Sequence, residues 1–235
     1  MASEVAVVVG VGPGLGWALT DRFARSGMQT VAASRDPAKL GALPGADPMP
    51  NVRFEACDAA QPDSVANLFA TVEREAGIPN LVVFNAGTFM RGGILEISPQ
   101  SFEQCWRIGC MGGFLVGQCA ARLMVQAGAG TIIFTGATAS LRGSAGFANL
   151  AVPKFGLRAL AQSMARELGP KGVHVAHVVI DGQIEAQSRR HLLDERGPAS
   201  LLPPEAIAES YYQLHRQPRG AWTHELDLRP WVEKF

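Results

Sequence analysis

The sequence predicts an α/β protein built on a doubly wound parallel sheet with helices on both faces. Three observations carry this prediction. Short apolar runs of strand length alternate with segments of helical periodicity along the 235 residues. Most of those runs are continuously apolar rather than alternating, as in strands covered on both faces. The first, Val5–Val9, leads directly into a glycine-dense turn, Gly10-Val-Gly12-Pro-Gly14-Leu-Gly16, that opens a helix.

In chain order, strands are expected at Val5–Val9, 30–34, 52–57, Leu81–Phe84, 131–135, Val173–Ile180 and 222–228. Leu15, Leu19 and Phe23 recur four apart and mark the first helix. Val65, Leu68, Phe69 and Val72 mark the next, and a long segment from about 98 to 126 follows. The clearest pattern is Leu157, Leu160, Ala161, Met164 and Leu168, and a late helix follows Pro203-Pro204. No repeat or low-complexity stretch interrupts the alternation. The Gly- and Pro-rich loop 41–50 is too short for a boundary, so residues 1–235 are expected to form one domain.

Hydrophobic residues make up 47% and charged residues 18%, an ordinary globular balance. Twenty-one basic and 21 acidic side chains cancel, which argues against nucleic acid or an anionic membrane as the main partner. No apolar run reaches the roughly 18 residues that span a bilayer. The N-terminus enters a strand without a basic region or cleavage site, so a cytoplasmic protein is expected. Cys57, Cys105, Cys110 and Cys119 show neither CxxC nor metal-ligand spacing and read as buried reduced thiols.

The glycine turn has a chemical meaning. Glycines let backbone approach a pyrophosphate, and a helix starting near Gly14 turns unpaired N–H groups and a positive dipole end towards the anion. The implied architecture is Rossmann-type. In such a fold the end of the second strand, Ala33-Ser34-Arg35-Asp36, meets the adenosine ribose. An acidic residue there favours the 2′-hydroxyl of NAD, and an arginine accommodates the 2′-phosphate of NADP. Arg35 with Ser34 points to NADP(H). Asp36 is read as the cap of a helix begun by Pro37.

With these elements in place, the sequence resembles the short-chain dehydrogenase/reductase family. Gly10-x3-Gly14-x-Gly16, with Leu15 in the turn, looks like its glycine motif, and Cys57-Asp58 like its adenine-contacting aspartate. Phe84-Asn85-Ala86-Gly87 resembles its Asn-Asn-Ala-Gly signature, and Lys154 falls where the family places its active-site lysine. The resemblance runs from residue 5 to about 185 and implies a carbonyl-reducing site of tyrosine, lysine, serine and asparagine, with Ile184 against the dinucleotide.

The chain departs from that chemistry. Four residues before Lys154 the tyrosine position holds Leu150; thirteen before that, the serine position holds Ala137, with Thr138 next to it. The asparagine position is Gly109. Substitute donors are sought nearby: Thr138 to polarise an acceptor, Lys154 to donate if burial lowers its pKa, or Asp181 at the Asp181-Gly182 junction, which also reads as a turn. Phe89, Met90, Leu141, Phe147 and Leu150 are expected to line an apolar substrate pocket, beside a substrate loop at about 183–200 that includes Arg189, Arg190 and His191. His174, His177, Tyr211 and Tyr212 read as packing residues, with His174 and His177 half-buried.

The expected function is NADP(H)-dependent hydride transfer to or from a small organic substrate. The acceptor is a ketone or aldehyde by family analogy, or an imine or activated alkene given the missing tyrosine. The rival reading is an NADP-binding sensor or assembly protein without activity. Gly109, Gly112, Gly113 and Gly117 suit close helix approach, and the resemblance implies a homodimer or homotetramer through that helix.

Overall fold

The computed structural model describes residues 3–43, 49–189, 191–197 and 199–232. Strand β1 (Val5–Val9) pairs in parallel on one side with β2 (Gln29–Ser34) and on the other with β4 (Leu81–Phe84). Beyond β2 lies β3 (Val52–Ala56); beyond β4 follow β5 (Gly130–Thr135), β6 (Val173–Ile180) and β9 (Glu225–Leu228). The order β3-β2-β1-β4-β5-β6-β9, parallel throughout, reverses direction between β1 and β4. Such a switch point opens a crevice outside the carboxyl ends of the strands.

Alternate residues of each strand feed two core layers. Val5, Val7 and Val9 of β1 pack towards α2 (Pro62–Glu75), α4 (Gly112–Ala127) and α5 (Ala148–Leu168). Ala6 and Val8 face the opposite layer, with Leu19 and Phe23 of α1 (Leu15–Arg25) and Ile207 and Tyr211 of α7 (Pro204–His215). Both faces of β1 are therefore dry, which is why its sequence is continuously apolar.

The apolar stretch expected from 98 to 126 is α3 (Pro99–Trp106), a π turn at Arg107–Met111, and α4, joined end to end. Fused, Pro99–Ala127 is long and apolar enough by length and composition to cross a membrane, a feature the residue-by-residue reading missed. Here Val116, Ala120 and Met124 are fully buried in the core layer between α4 and the sheet. Its glycines do allow close approach. A Cβ on Gly113 would stand 2.3 Å from Leu157 on α5, and one on Gly109 3.1 Å from Pro153. Of the thiols expected to be buried, Cys57 and Cys105 are, whereas Cys110 and Cys119 are half-buried.

Strands β2, β3 and β5 shift by one residue at one end, and two further features depart from expectation. The last strand begins at Glu225 rather than 222, because Arg219–Ala221 forms a 3₁₀ turn and Trp222 stacks on His174 with centroids 4.9 Å apart. The expected substrate loop carries structure of its own. Strands β7 (Gln183–Ile184) and β8 (Leu201–Leu202) pair in parallel around α6 (His191–Arg196). Arg190 and residues 44–48 of the loop 41–50 lie outside the described residues.

Candidate active site

Seven of the twelve residues read as dinucleotide ligands stand at four separate strand ends, and the fold brings those seven to one place. A cleft of about 440 Å³ is lined by Gly10 after β1, Ser34 and Arg35 at the end of β2, Asp58 after β3, and Asn85, Ala86 and Gly87 after β4. Gly14, Leu15 and Gly16 stand at the start of α1, with Gly14 in the N-cap position and Leu15 and Gly16 buried. The Asn85 side chain donates to the Gly10 carbonyl at 3.0 Å, locking the glycine turn to the end of β4. Asp58 accepts from the Ala60 N–H at 3.0 Å, so it shapes its own turn as well as the cleft wall.

The cleft also holds a residue that sequence reasoning passed over. Lys39, in the 3₁₀ turn Pro37–Ala42, lines it beside Arg35 and pairs with Asp36 at 2.9 Å. Its signal was the pair Asp36-x2-Lys39, opposite charges one helical turn apart. Ser34 lines the same cleft, and its hydroxyl is buried with no partner among the described residues. An unpartnered hydroxyl and two cationic side chains on the lining of one cleft suit a phosphate, which accepts from donors of both kinds. The residues present fit NADP(H).

Lys154 lies one α5 turn beyond Leu150, is 7% exposed, and donates from Nζ to the Thr135 carbonyl at 2.6 Å. Burial pushes its pKa down to about 8. A Cβ on Gly87 would come within 3.9 Å of Nζ, so the lysine adjoins the end of the cleft. Thr135 is itself held from behind: the Tyr211 phenol, buried in α7, donates to its hydroxyl at 3.0 Å, and burial pushes the Tyr211 pKa up. Tyr211 is thus a packing residue that steadies the lysine's acceptor strand.

Thr138 opens a 3₁₀ turn, Thr138–Ser140, after β5. Its hydroxyl donates to Asp181 Oδ1 at 2.5 Å, and Asp181 Oδ2 lies 3.2 Å from the Arg229 guanidinium. The Thr138 proton is therefore committed to Asp181 rather than offered to a substrate carbonyl, and both Asp181 oxygens act as acceptors. That geometry opposes the expected roles of Thr138 as polarising donor and Asp181 as proton source. Arg229 was absent from the sequence reading, because nothing local ties it to residue 181.

The apolar residues divide. Phe89 and Phe147 stack with centroids 4.8 Å apart, and Leu150 is half-buried. Phe89, Met90 and Leu141 are all exposed rather than gathered into an apolar pocket, and Ile184 packs against the core layer under α7. Asn149, fully buried, donates to the Met90 carbonyl at 3.1 Å and ties the loop after β4 to α5.

Behind Lys154, His177 of β6 is, like His174, buried rather than half-buried, with Nδ1 3.4 Å from Glu225, which Arg158 of α5 also grips at 2.6 Å. Burial pushes the His177 pKa down to about 4 despite that carboxylate. Below pH 6.5 the unfolded chain takes up a proton that the folded chain refuses until about pH 4. Stability is therefore lost as pH falls through that window. Relative to His177→Gln, the parent is expected to lose about 3 kcal/mol between pH 7 and 4. Denaturant melts at stepped pH would show it, and equal slopes for both proteins would refute it.

Comparison with known proteins agrees with this geometry. Residues 4–196 match the short chain dehydrogenase family. Over 200 residues the chain is 31% identical to the 3-oxoacyl-[acyl-carrier-protein] reductase MabA of Mycobacterium avium, covering 85% of this chain and 74% of that one. A short-chain dehydrogenase from Rhodopseudomonas palustris superposes with a TM-score of 0.84 at 38% identity, over 97% of this chain and 99% of that one. A metagenomic short-chain oxidoreductase solved in complex with NADP gives a TM-score of 0.84 at 26% identity, over 99% of each chain. Strand order, cleft and sequence agree, and the chain belongs to the short chain dehydrogenase family of oxidoreductases.

Proposed function

We propose that the protein is an NADP(H)-dependent oxidoreductase that transfers a hydride to or from a small organic substrate without a tyrosine acid. The observation that carries this reading is Lys154, buried and anchored on the Thr135 carbonyl at the end of a cleft suited to the dinucleotide. Bound there, the reduced nicotinamide would supply the hydride. Ser34, Arg35 and Lys39 take the 2′-phosphate, and Asn85 holds the glycine turn in register with β4. After its bond to Thr135, Lys154 Nζ has two further donors for ribose hydroxyls. Leu150 stands one turn away on the same face of α5 and has no proton to give.

The acceptor follows from that leucine. A ketone, the class named for the MabA relative, leaves an alkoxide that needs a proton. A protonated imine carries its own, and an activated alkene can take one from solvent. Leu150 supports the latter two. Exposed apolar side chains on α4 and α5 (Phe114, Val152 and Phe155) support a homodimer or homotetramer.

Stopped-flow absorbance of NADPH with ketones, cyclic imines and conjugated enones, with NADH in parallel, tests the reading. Oxidation by one class with NADPH preferred is the expected result. Tight NADPH binding without oxidation would favour an inactive nucleotide sensor. In the same assay Leu150→Tyr is expected to raise ketone reduction about 10²-fold by restoring a general acid beside Lys154. No gain would mean that the missing acid is not what limits ketones.

A further inference from the structure

We infer that Thr138, Asp181 and Arg229 form an acceptor wall beside Lys154 that selects substrates presenting a hydrogen-bond donor, protonated imines before ketones and aldehydes. The inference rests on the hydride-transfer reading above and names its substrate class.

A threonine hydroxyl has one proton and two lone pairs. That of Thr138 points at Asp181 Oδ1, 2.5 Å away, and a carboxylate can only accept, so the direction of the bond is fixed. The carboxylate is fixed in turn. Asp181 is 9% exposed and its second oxygen lies 3.2 Å from Arg229. Arg229 follows β9 and also bonds Asp227, through Nε at 3.1 Å and through its NH2 group. The next residue, Pro230, packs so closely on Gly182 that a Cβ there would stand 2.8 Å from Pro230 Cδ. The C-terminal strap thus clamps the Asp181-Gly182 junction, with Arg229 as its positioning residue.

Two consequences follow for whatever lies against Thr138. The hydroxyl has only lone pairs left to offer. Lys154, protonated below about pH 8, stands beside the wall and offsets the charge of Asp181, Asp227 and Arg229 together, so the lone pairs rather than a net field set the preference. A carbonyl oxygen, itself acceptor-only, meets like against like. An iminium N–H meets an acceptor, and hydrogen bonds from an ionised donor are the strong ones. The wall is well placed for the reaction. Thr138 is three residues past Thr135, which holds Lys154, and Asp181 directly follows β6, the strand paired with β5.

The electron count closes without a protein acid. The reduced nicotinamide dinucleotide gives up a hydride and is oxidised. The hydride and its electron pair form the new C–H bond, and the C=N π pair becomes the lone pair of the amine. The iminium proton stays on nitrogen. Neither Leu150 nor Thr138 has to donate.

The test uses five-membered rings of matched shape. Pyrrolidinium and cyclopentanone are titrated calorimetrically into the full-length protein saturated with NADP⁺, and turnover of 1-pyrroline and cyclopentanone is compared with NADPH. Pyrrolidinium is expected to bind at least about tenfold more tightly than cyclopentanone. Thr138→Val should erase that preference, and Thr138→Ser, which keeps the hydroxyl, should restore it. In Asp181→Asn the carboxamide can donate to Thr138 and turn its proton towards the substrate. The ratio of ketone to imine turnover should then rise about tenfold or more. Arg229→Gln should weaken the preference in binding while NADPH affinity, followed by nicotinamide fluorescence, is retained. Equal or weaker binding of pyrrolidinium by the unmodified protein overturns the inference, as does a preference untouched by Thr138→Val. That first comparison needs no variant to fold. Loss of all NADPH binding would sink the hydride-transfer reading itself, and the fluorescence measurement tells the two failures apart.

Discussion

Lys154→Met is expected to cut hydride transfer at least about a hundredfold, the scale of loss when a positioning contact at the reacting centre is displaced. It is also expected to remove a pH dependence from the protein's stability. In the folded chain burial holds the Lys154 pKa near 8 against an ordinary 10.5. Below pH 8 both states are protonated and the folded state carries the whole cost of a buried cation. Between about 8 and 10.5 the folded chain gives up its proton first, so its stability rises with pH, by about 3 kcal/mol over the window. Above 10.5 both states are neutral and the rise ends. The lost bond to the Thr135 carbonyl costs the variant a constant amount, since that oxygen does not titrate. Denaturant melts of both proteins from pH 7 to 10.5 should therefore diverge in slope, and parallel curves would refute a buried, strained cation. The site holds a charge at the expense of the fold, which is what a group placed for binding rather than for packing would do.

How far the sequence revealed this site depends on the range of the physics at each residue. Val5–Val9, Leu81–Phe84 and Val173–Ile180 have the bounds expected of them, because a strand dry on both faces has to be apolar at every position. The cleft residues were legible for a related reason. Gly10, Ser34, Arg35, Asp58 and Asn85 each stand at the carboxyl end of a strand, and a parallel sheet gathers those ends. Strands β7 and β8 were not legible, since two residues carry no periodicity and their pairing spans the α6 excursion. The π turn was hidden because helical periodicity continues on both sides of it. Thr138 was found as a residue, but the direction of its proton is set by Asp181, 43 positions away, and Asp181 by Arg229 at the far end of the chain. Hydrogen-bond polarity is a property of the assembled network.

Gly10→Ala is expected to destabilise the fold by roughly 3 kcal/mol or more and to abolish dinucleotide binding, whereas Gly12→Ala should spare the fold and weaken binding alone. Gly10 has φ +95°, which costs an L-residue about 1–2 kcal/mol. An added Cβ would also stand 2.4 Å from the Ala86 nitrogen, 2.5 Å from its Cα and 2.8 Å from the Asn85 carbonyl carbon. All three are backbone atoms, and the backbone around them has little room to yield. The Gly10 N–H donates to Ala33 at 2.9 Å, the Asn85 N–H to Val9 at 2.8 Å, and the Asn85 side chain to the Gly10 carbonyl. Relief would have to come from parting β1 and β4 at the switch point, which opens the cleft floor. Gly12 lines the same cleft, yet a Cβ there meets nothing within 4 Å. The fold should tolerate it to within about 0.5 kcal/mol, as at an ordinary surface position. The space it fills is where a pyrophosphate would approach the backbone. Melting temperature and NADPH fluorescence, read on both variants, separate the two roles. A Gly10→Ala protein that melts with the parent would show that β4 does not press on this turn. A Gly12→Ala protein that binds NADPH as tightly as the parent would place the pyrophosphate elsewhere.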